Sequence, residues 1–77
     1  MIKLLYFAGI RDLTGRPSEE ADLSGRTVEE LWKWAEDKYP GIREGGARIA
    51  VNEEYALPDD RLGEGDTAAF IPPVSGG

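Results

Sequence analysis

The chain offers almost no side-chain chemistry. Among its 77 residues there is no histidine and no cysteine. That removes the commonest general base, the Ser-His-Asp and Cys-His arrangements, thiolate zinc ligands and disulfides. What remains is the end of the chain, Gly76-Gly77. The reactive group this pair offers is the α-carboxylate of Gly77. Two residues without side chains can thread a narrow channel and take backbone angles closed to other residues. A partner enzyme could activate that carboxylate with ATP and turn a poor acyl donor into a good one. The stiff Pro72-Pro73 pair would set the direction of Val74-Ser75-Gly76-Gly77, which reads as a loose tail.

Other candidate motifs carry less. Gly63-Glu-Gly-Asp-Thr-Ala68 has the form of a dinucleotide fingerprint. Such a fingerprint must follow a strand and open a helix. Here it precedes a strand, so it reads as a turn. The acidic pairs Glu19-Glu20, Glu29-Glu30, Glu53-Glu54 and Asp59-Asp60 consist of neighbours that point apart, so they read as solvated charge. No spacing resembles a calcium loop, and no metal site is expected.

The elements that must position the tail follow from pattern. Met1–Ala8 is an apolar run broken by Lys3. If Lys3 faces water, Ile2, Leu4 and Tyr6 face a core, and Leu5 and Phe7 lie on the opposite face. Gly9–Pro17 reads as a loop, and Glu19–Leu23 as a second strand forming a hairpin with the first. Thr27-Val-Glu-Glu30 has the form of a capping box. Val28, Leu31, Trp32, Ala35 and Tyr39 follow on one helical stripe, ended by Pro40-Gly41, with Trp34 off it. Ala47–Val51 is a short strand with Ile49 and Val51 inward. Asn52-Glu53-Glu54 is a tight turn into Tyr55-Ala56, and residues 58–62 are a turn or loop. Thr67–Ile71 is the last strand, with Phe70 inward and Ile71 outward.

One helix packed across one sheet is the economical way to bury a single stripe. The first and last strands are the most apolar, so they belong side by side in the centre, parallel. The expected fold class is α+β, a β-grasp with a mixed sheet. The expected organisation is a single domain over 1–77 with a flexible tail at 74–77. A chain of 8.4 kDa would expose roughly 4,600 Å² when folded, so the core is small and a binding or carrier module is favoured over a self-contained enzyme. Phe7, Tyr55 and Ile71, with Leu5 nearby, then form an apolar patch beside the tail, and such patches mark interfaces.

Nine basic and fifteen acidic residues give a net charge of −6. Phosphate backbones would repel this chain, so nucleic acid is not an expected partner. Its apolar runs are too short to span a bilayer, and no signal-peptide pattern opens it, so a cytoplasmic location is expected.

Several segments resemble one family. Ala69-Phe-Ile-Pro-Pro-Val-Ser-Gly-Gly77 is similar to the ending of molybdopterin synthase small subunits, in the MoaD/ThiS family of ubiquitin-like sulfur carriers. Tyr6-Phe-Ala-Gly-Ile-Arg-Asp-Leu-Thr-Gly15, Thr27-Val-Glu-Glu-Leu31, Ala50-Val-Asn-Glu-Glu-Tyr55 and Leu62-Gly-Glu-Gly-Asp66 resemble its earlier segments. Asp12 stands where the family pattern has glutamate. The resemblance implies a carrier whose Gly77 is adenylated by an enzyme related to ubiquitin-activating enzymes, using ATP and magnesium. Gly77 would then be thiocarboxylated. It implies docking on the large synthase subunit in a heterotetramer, and sulfur transfer to cyclic pyranopterin monophosphate. The chain itself would bind no cofactor and catalyse nothing alone. By position the resemblance places Phe7, Arg11, Tyr55 and Ile71 on the docking surface, with Pro72, Pro73, Val74 and Ser75 leading to the tail. Alternatives are a ubiquitin-like protein modifier, a thiamine-pathway sulfur carrier and a plain interaction module.

Overall fold

Thr27 starts the main helix as its sequence predicts. Its hydroxyl accepts from the Glu30 amide at 3.1 Å, and the Glu30 carboxylate accepts from the Thr27 amide at 3.0 Å. This reciprocal cap satisfies two amides that the first turn would leave bare. The computed structural model describes residues 1–73. Its elements are β1 (Ile2–Tyr6), α1 (Ala8–Thr14), β2 (Ser18–Ala21), α2 (Val28–Lys38), β3 (Arg48–Val51), β4 (Glu54–Tyr55) and β5 (Thr67–Ile71). The strands form one mixed sheet in the order β2-β1-β5-β3-β4. β1 and β5 are parallel neighbours, with Leu4 opposite Ala68 and Tyr6 opposite Phe70. The other pairs are antiparallel. This is the mixed sheet with a helix across it that the apolar pattern calls for.

The alternation of β1 holds residue by residue. Ile2, Leu4 and Tyr6 are buried, while Lys3 and Phe7 are exposed and Leu5 is half-buried. Val28, Leu31, Trp32 and Ala35 of α2 close over them, and Tyr39 packs at the margin. Phe70, fully buried on β5, sits at the centre. Its ring lies 5.3 Å from Trp32, edge to face, and 5.4 Å from Tyr6. The accessible surface of 4846 Å² agrees with the size scaling of a small folded chain.

Three readings need correction. The expected loop at Gly9–Pro17 begins as a helix, α1. It lacks a side-chain cap and buries only Ile10, so its stripe is too short to show periodicity. Its visible signal is its end: Gly15 at φ 77 donates its amide to the Arg11 carbonyl at 2.9 Å. Second, β2 runs Ser18–Ala21 rather than Glu19–Leu23, because the Leu23 amide turns back onto the Ala21 carbonyl at 3.0 Å. On β3 the expected alternation holds, with Ile49 buried and Val51 packed against the core, while Ala50 on the opposite face is buried too. The small side chain of Ala50 is covered by its neighbours on that face. Third, Glu19 is not solvated charge.

The Glu19 side chain is 6% exposed. It accepts from the Tyr6 hydroxyl at 2.6 Å, the Tyr39 hydroxyl at 2.5 Å and the Lys38 ammonium at 2.7 Å. It therefore ties β1, β2 and α2 together. Burial by itself would raise its carboxyl pKa. The hydrogen bonds from Lys38, Tyr39 and Tyr6 together outweigh burial and hold it below the ordinary 4.5. The depressed value fixes the sign of the linkage. The unfolded chain binds this proton more readily, so the Glu19 contribution is complete above about pH 4.5 and is lost as pH falls through the lower folded value. Glu19→Gln is expected to cost about 1–3 kcal/mol at pH 7. It should also flatten the acid limb of stability, read by urea unfolding from pH 7 down to 3.

The Asn52-Glu53 turn joining β3 and β4 is left-handed at both residues, with φ of 50 and 72. That is the primed turn that matches strand twist. Asn52 suits it; Glu53 carries a Cβ penalty of about 1–2 kcal/mol. Glycine there would lose about 0.4–1 kcal/mol through greater freedom of the unfolded chain. Glu53→Gly is therefore expected to stabilise the fold by roughly 0.5–1 kcal/mol. The readout is a higher urea midpoint at unchanged slope.

Candidate functional site

The residues beside the root of the tail come from four strands. β5 presents Thr67, Ala69 and Ile71 away from α2, and register aligns Leu5 of β1 with Ala69 and Arg48 of β3 with Ile71. Ala50 pairs with Tyr55 of β4 on the same face. The small Ala50 and Ala69 make a floor, and Leu5, Phe7, Tyr55 and Ile71 stand around it. The result is an open depression of about 730 Å³, with Asn52, Glu53 and Thr67 at its far end. Phe7 is 48% and Tyr55 63% exposed, so considerable apolar surface faces solvent here.

A second, smaller depression shares Tyr55 and Ile71 and adds Gly46, Arg48, Pro72 and Pro73. The apolar face thus runs without a break to the stem of the tail. The sequence-derived site residues Phe7, Tyr55 and Ile71 come together here, and Pro72 and Pro73 adjoin them. Arg11 does not line either depression; it sits exposed on α1. Val74, Ser75, Gly76 and Gly77 lie outside the described residues.

Sequence reasoning missed Arg48 and the alanine floor. Arg48 places its guanidinium 5.3 Å from the Tyr55 ring centre. Its signal was available: it alternates with Ile49, so it must share a face with Ala50. The floor follows from the same alternation, since Ala50 and Ala69 adjoin the inward Ile49 and Phe70.

The other candidate motifs resolve into structure. Gly63–Asp66 is a turn closed by the Gly63 amide on the Asp66 carboxylate at 2.7 Å, ahead of β5. Glu29 takes a two-pronged bond from Arg43 at 2.7 and 2.9 Å, and the Asp60 carboxylate accepts the Leu57 amide at 2.8 Å. Among the described residues no cluster of three or more acidic side chains is arranged to hold a metal ion. No helix among them is long and apolar enough to cross a membrane.

The site is therefore an exposed apolar face that reaches Pro72 and Pro73, with no side-chain constellation for catalysis among the described residues. The sequence pattern of the ThiS family matches residues 4–77. The chain belongs to that family. Its relatives include the molybdopterin synthase sulfur carrier subunit of Escherichia coli, 37% identical over 81 residues and all of both chains. The human protein of the same name is also 37% identical, covering 99% of this chain and 93% of its own. A Pyrococcus furiosus structure, provisionally assigned as subunit 1 of a molybdopterin converting factor, superposes with a TM-score of 0.86. It is 31% identical, covering 95% of this chain and 97% of that one. Membership in this family fits the β-grasp sheet seen here.

Proposed function

We propose that this chain is the sulfur carrier subunit of molybdopterin synthase. The observation that carries the reading is the continuity of the apolar sheet face with the Pro72-Pro73 stem of a Gly-Gly ending. Full-length similarity to sulfur carrier subunits supports it. The chain works in the cytoplasm between two partners. An adenylating enzyme related to ubiquitin-activating enzymes uses ATP and magnesium to join AMP to the Gly77 carboxylate. The outer sulfur of a persulfide displaces AMP from this acyl-adenylate. A thiol then cleaves the resulting acyl disulfide to release the thiocarboxylate, leaving the thiol and the donor joined as a disulfide.

The carrier then docks its sheet face on the large synthase subunit, in a heterotetramer with one carrier at each end of a large-subunit dimer. The tail passes into that subunit's active site. Sulfur moves to cyclic pyranopterin monophosphate, and the carrier leaves with a plain carboxylate. The chemistry belongs to the carboxyl terminus and to the partners, which is why a chain without histidine or cysteine suffices. The same tail must enter and leave two enzymes. A moderate patch suits that demand better than a very tight one, because release governs turnover.

The test is reconstitution. Thiocarboxylated carrier, large subunit and cyclic pyranopterin monophosphate should yield dithiolene product, with two carriers consumed per product formed. Failure with an active large subunit would reject this acceptor. Isopeptide adducts on many cellular proteins would favour the modifier reading instead.

A further inference from the structure

The docking reading accounts for the apolar depression but gives no use to Arg48, the cation that lines its tail end. Arg48 is exposed, and it stands opposite Ile71 at the tail end of the sheet face. Most other cations are committed to the chain itself. Arg16 and Lys38 face Glu19, Arg26 faces Glu30, and Arg43 faces Glu29. Arg61 donates to the Gly25 carbonyl at 2.8 Å. The Arg48 side chain makes no ion pair and no hydrogen bond among the described residues. In a chain with fifteen acids to nine bases, such a cation has ample internal carboxylate to choose from. Instead it lies over the Tyr55 ring and lines the same depression as the proline stem. Stacking holds a guanidinium flat and orders it at little further entropic cost, leaving its forked N–H donors for a planar acceptor. The opposite end of the depression carries Glu53. The lining of the two depressions is thus apolar in the middle, with Glu53 at the turn and Arg48 at the tail; Lys3, opposite Thr67, lies outside that lining.

We propose that Arg48 is a specificity-determining contact of this docking face. It meets a carboxylate on the large subunit, at the mouth of the opening that admits the tail. The inference rests on the sulfur-carrier reading. Charge polarity along an apolar patch fixes orientation and speeds correct encounter more than it deepens affinity. A reversed approach would set Glu53 against the partner's acid and Arg48 against whatever meets the turn. The tail would then start from the wrong end of the footprint. Arg48 so couples docking to correct entry of the tail.

Binding of purified large subunit to wild type and to Arg48→Ala, Arg48→Lys and Arg48→Glu, at low and high salt, tests this. Unchanged thermal unfolding would show that each variant is intact. The expected order of affinity is wild type, lysine, alanine, glutamate. Arg48→Glu should lose about tenfold or more at low salt, mainly in association rate, and the gap should narrow at high salt. Acid-to-lysine changes at the partner's opening should include one that restores Arg48→Glu. Equal binding by wild type and Arg48→Glu at low salt would overturn the inference and leave the carrier reading standing. A wild-type chain that does not bind the large subunit at all would remove both.

Discussion

Phe70→Ala is expected to leave little folded protein. The ring is fully buried on the central strand and touches Tyr6 and Trp32, so it joins sheet to helix at the middle of the core. Truncating a buried phenylalanine costs about 3–5 kcal/mol, part of it for the cavity left behind. A domain of this length holds only about 4–12 kcal/mol in total. The neighbours cannot collapse into the gap cheaply, because Ala68, on the same face of β5, has only a methyl group. Urea unfolding should show a midpoint reduced by half or more, or no transition at all. A loss under 1 kcal/mol would mean that the core is not organised around this ring.

The same residue type one strand away should behave in the opposite manner. Phe7 is 48% exposed at the rim of the depression. Changing it to aspartate removes little core packing, so stability should move by about 1 kcal/mol or less. Docking should suffer far more. A carboxylate placed in an apolar interface loses its water without gaining a partner. Truncating a central anchor alone costs about 2 kcal/mol or more. Ile71→Asp sits at the junction of the two depressions and should act alike. Each variant is expected to bind the large subunit about 100-fold more weakly, read by calorimetry or surface binding with folding checked separately. Binding within a few-fold of wild type by both would show that the partner docks elsewhere. The contrast between Phe70 and Phe7 separates folding from function with one residue type.

Much of this division was legible in the sequence. One lysine in an apolar run set the parity of β1, and that parity assigned Phe7 and Leu5 to the outer face. Thr27 and Glu30 announced the helix start. The parallel pairing of β1 with β5 followed from their apolar character, and with it the position of Pro72 and Pro73 beside the patch. Where the pattern was short, the reading failed. α1 has seven residues and one buried side chain, too few for a period to emerge. Glu19 looks like any surface glutamate, because the tyrosine hydroxyls and lysine that receive it come from positions thirteen to twenty residues away in the chain. Arg48 drew no notice because an exposed arginine is ordinary until its internal carboxylate partners are found to be missing. Arg11, placed by resemblance alone, stands on α1 away from both depressions, so the apolar face does not depend on it.

The central claim is that Gly77 carries sulfur. The most direct measurement is the intact mass of the chain after incubation with its adenylating enzyme, ATP, magnesium and a sulfide source. The account predicts a gain equal to the exchange of one oxygen for one sulfur, absent when Gly77 is deleted. An unchanged mass, with the adenylating enzyme shown to be active on this chain, would contradict it.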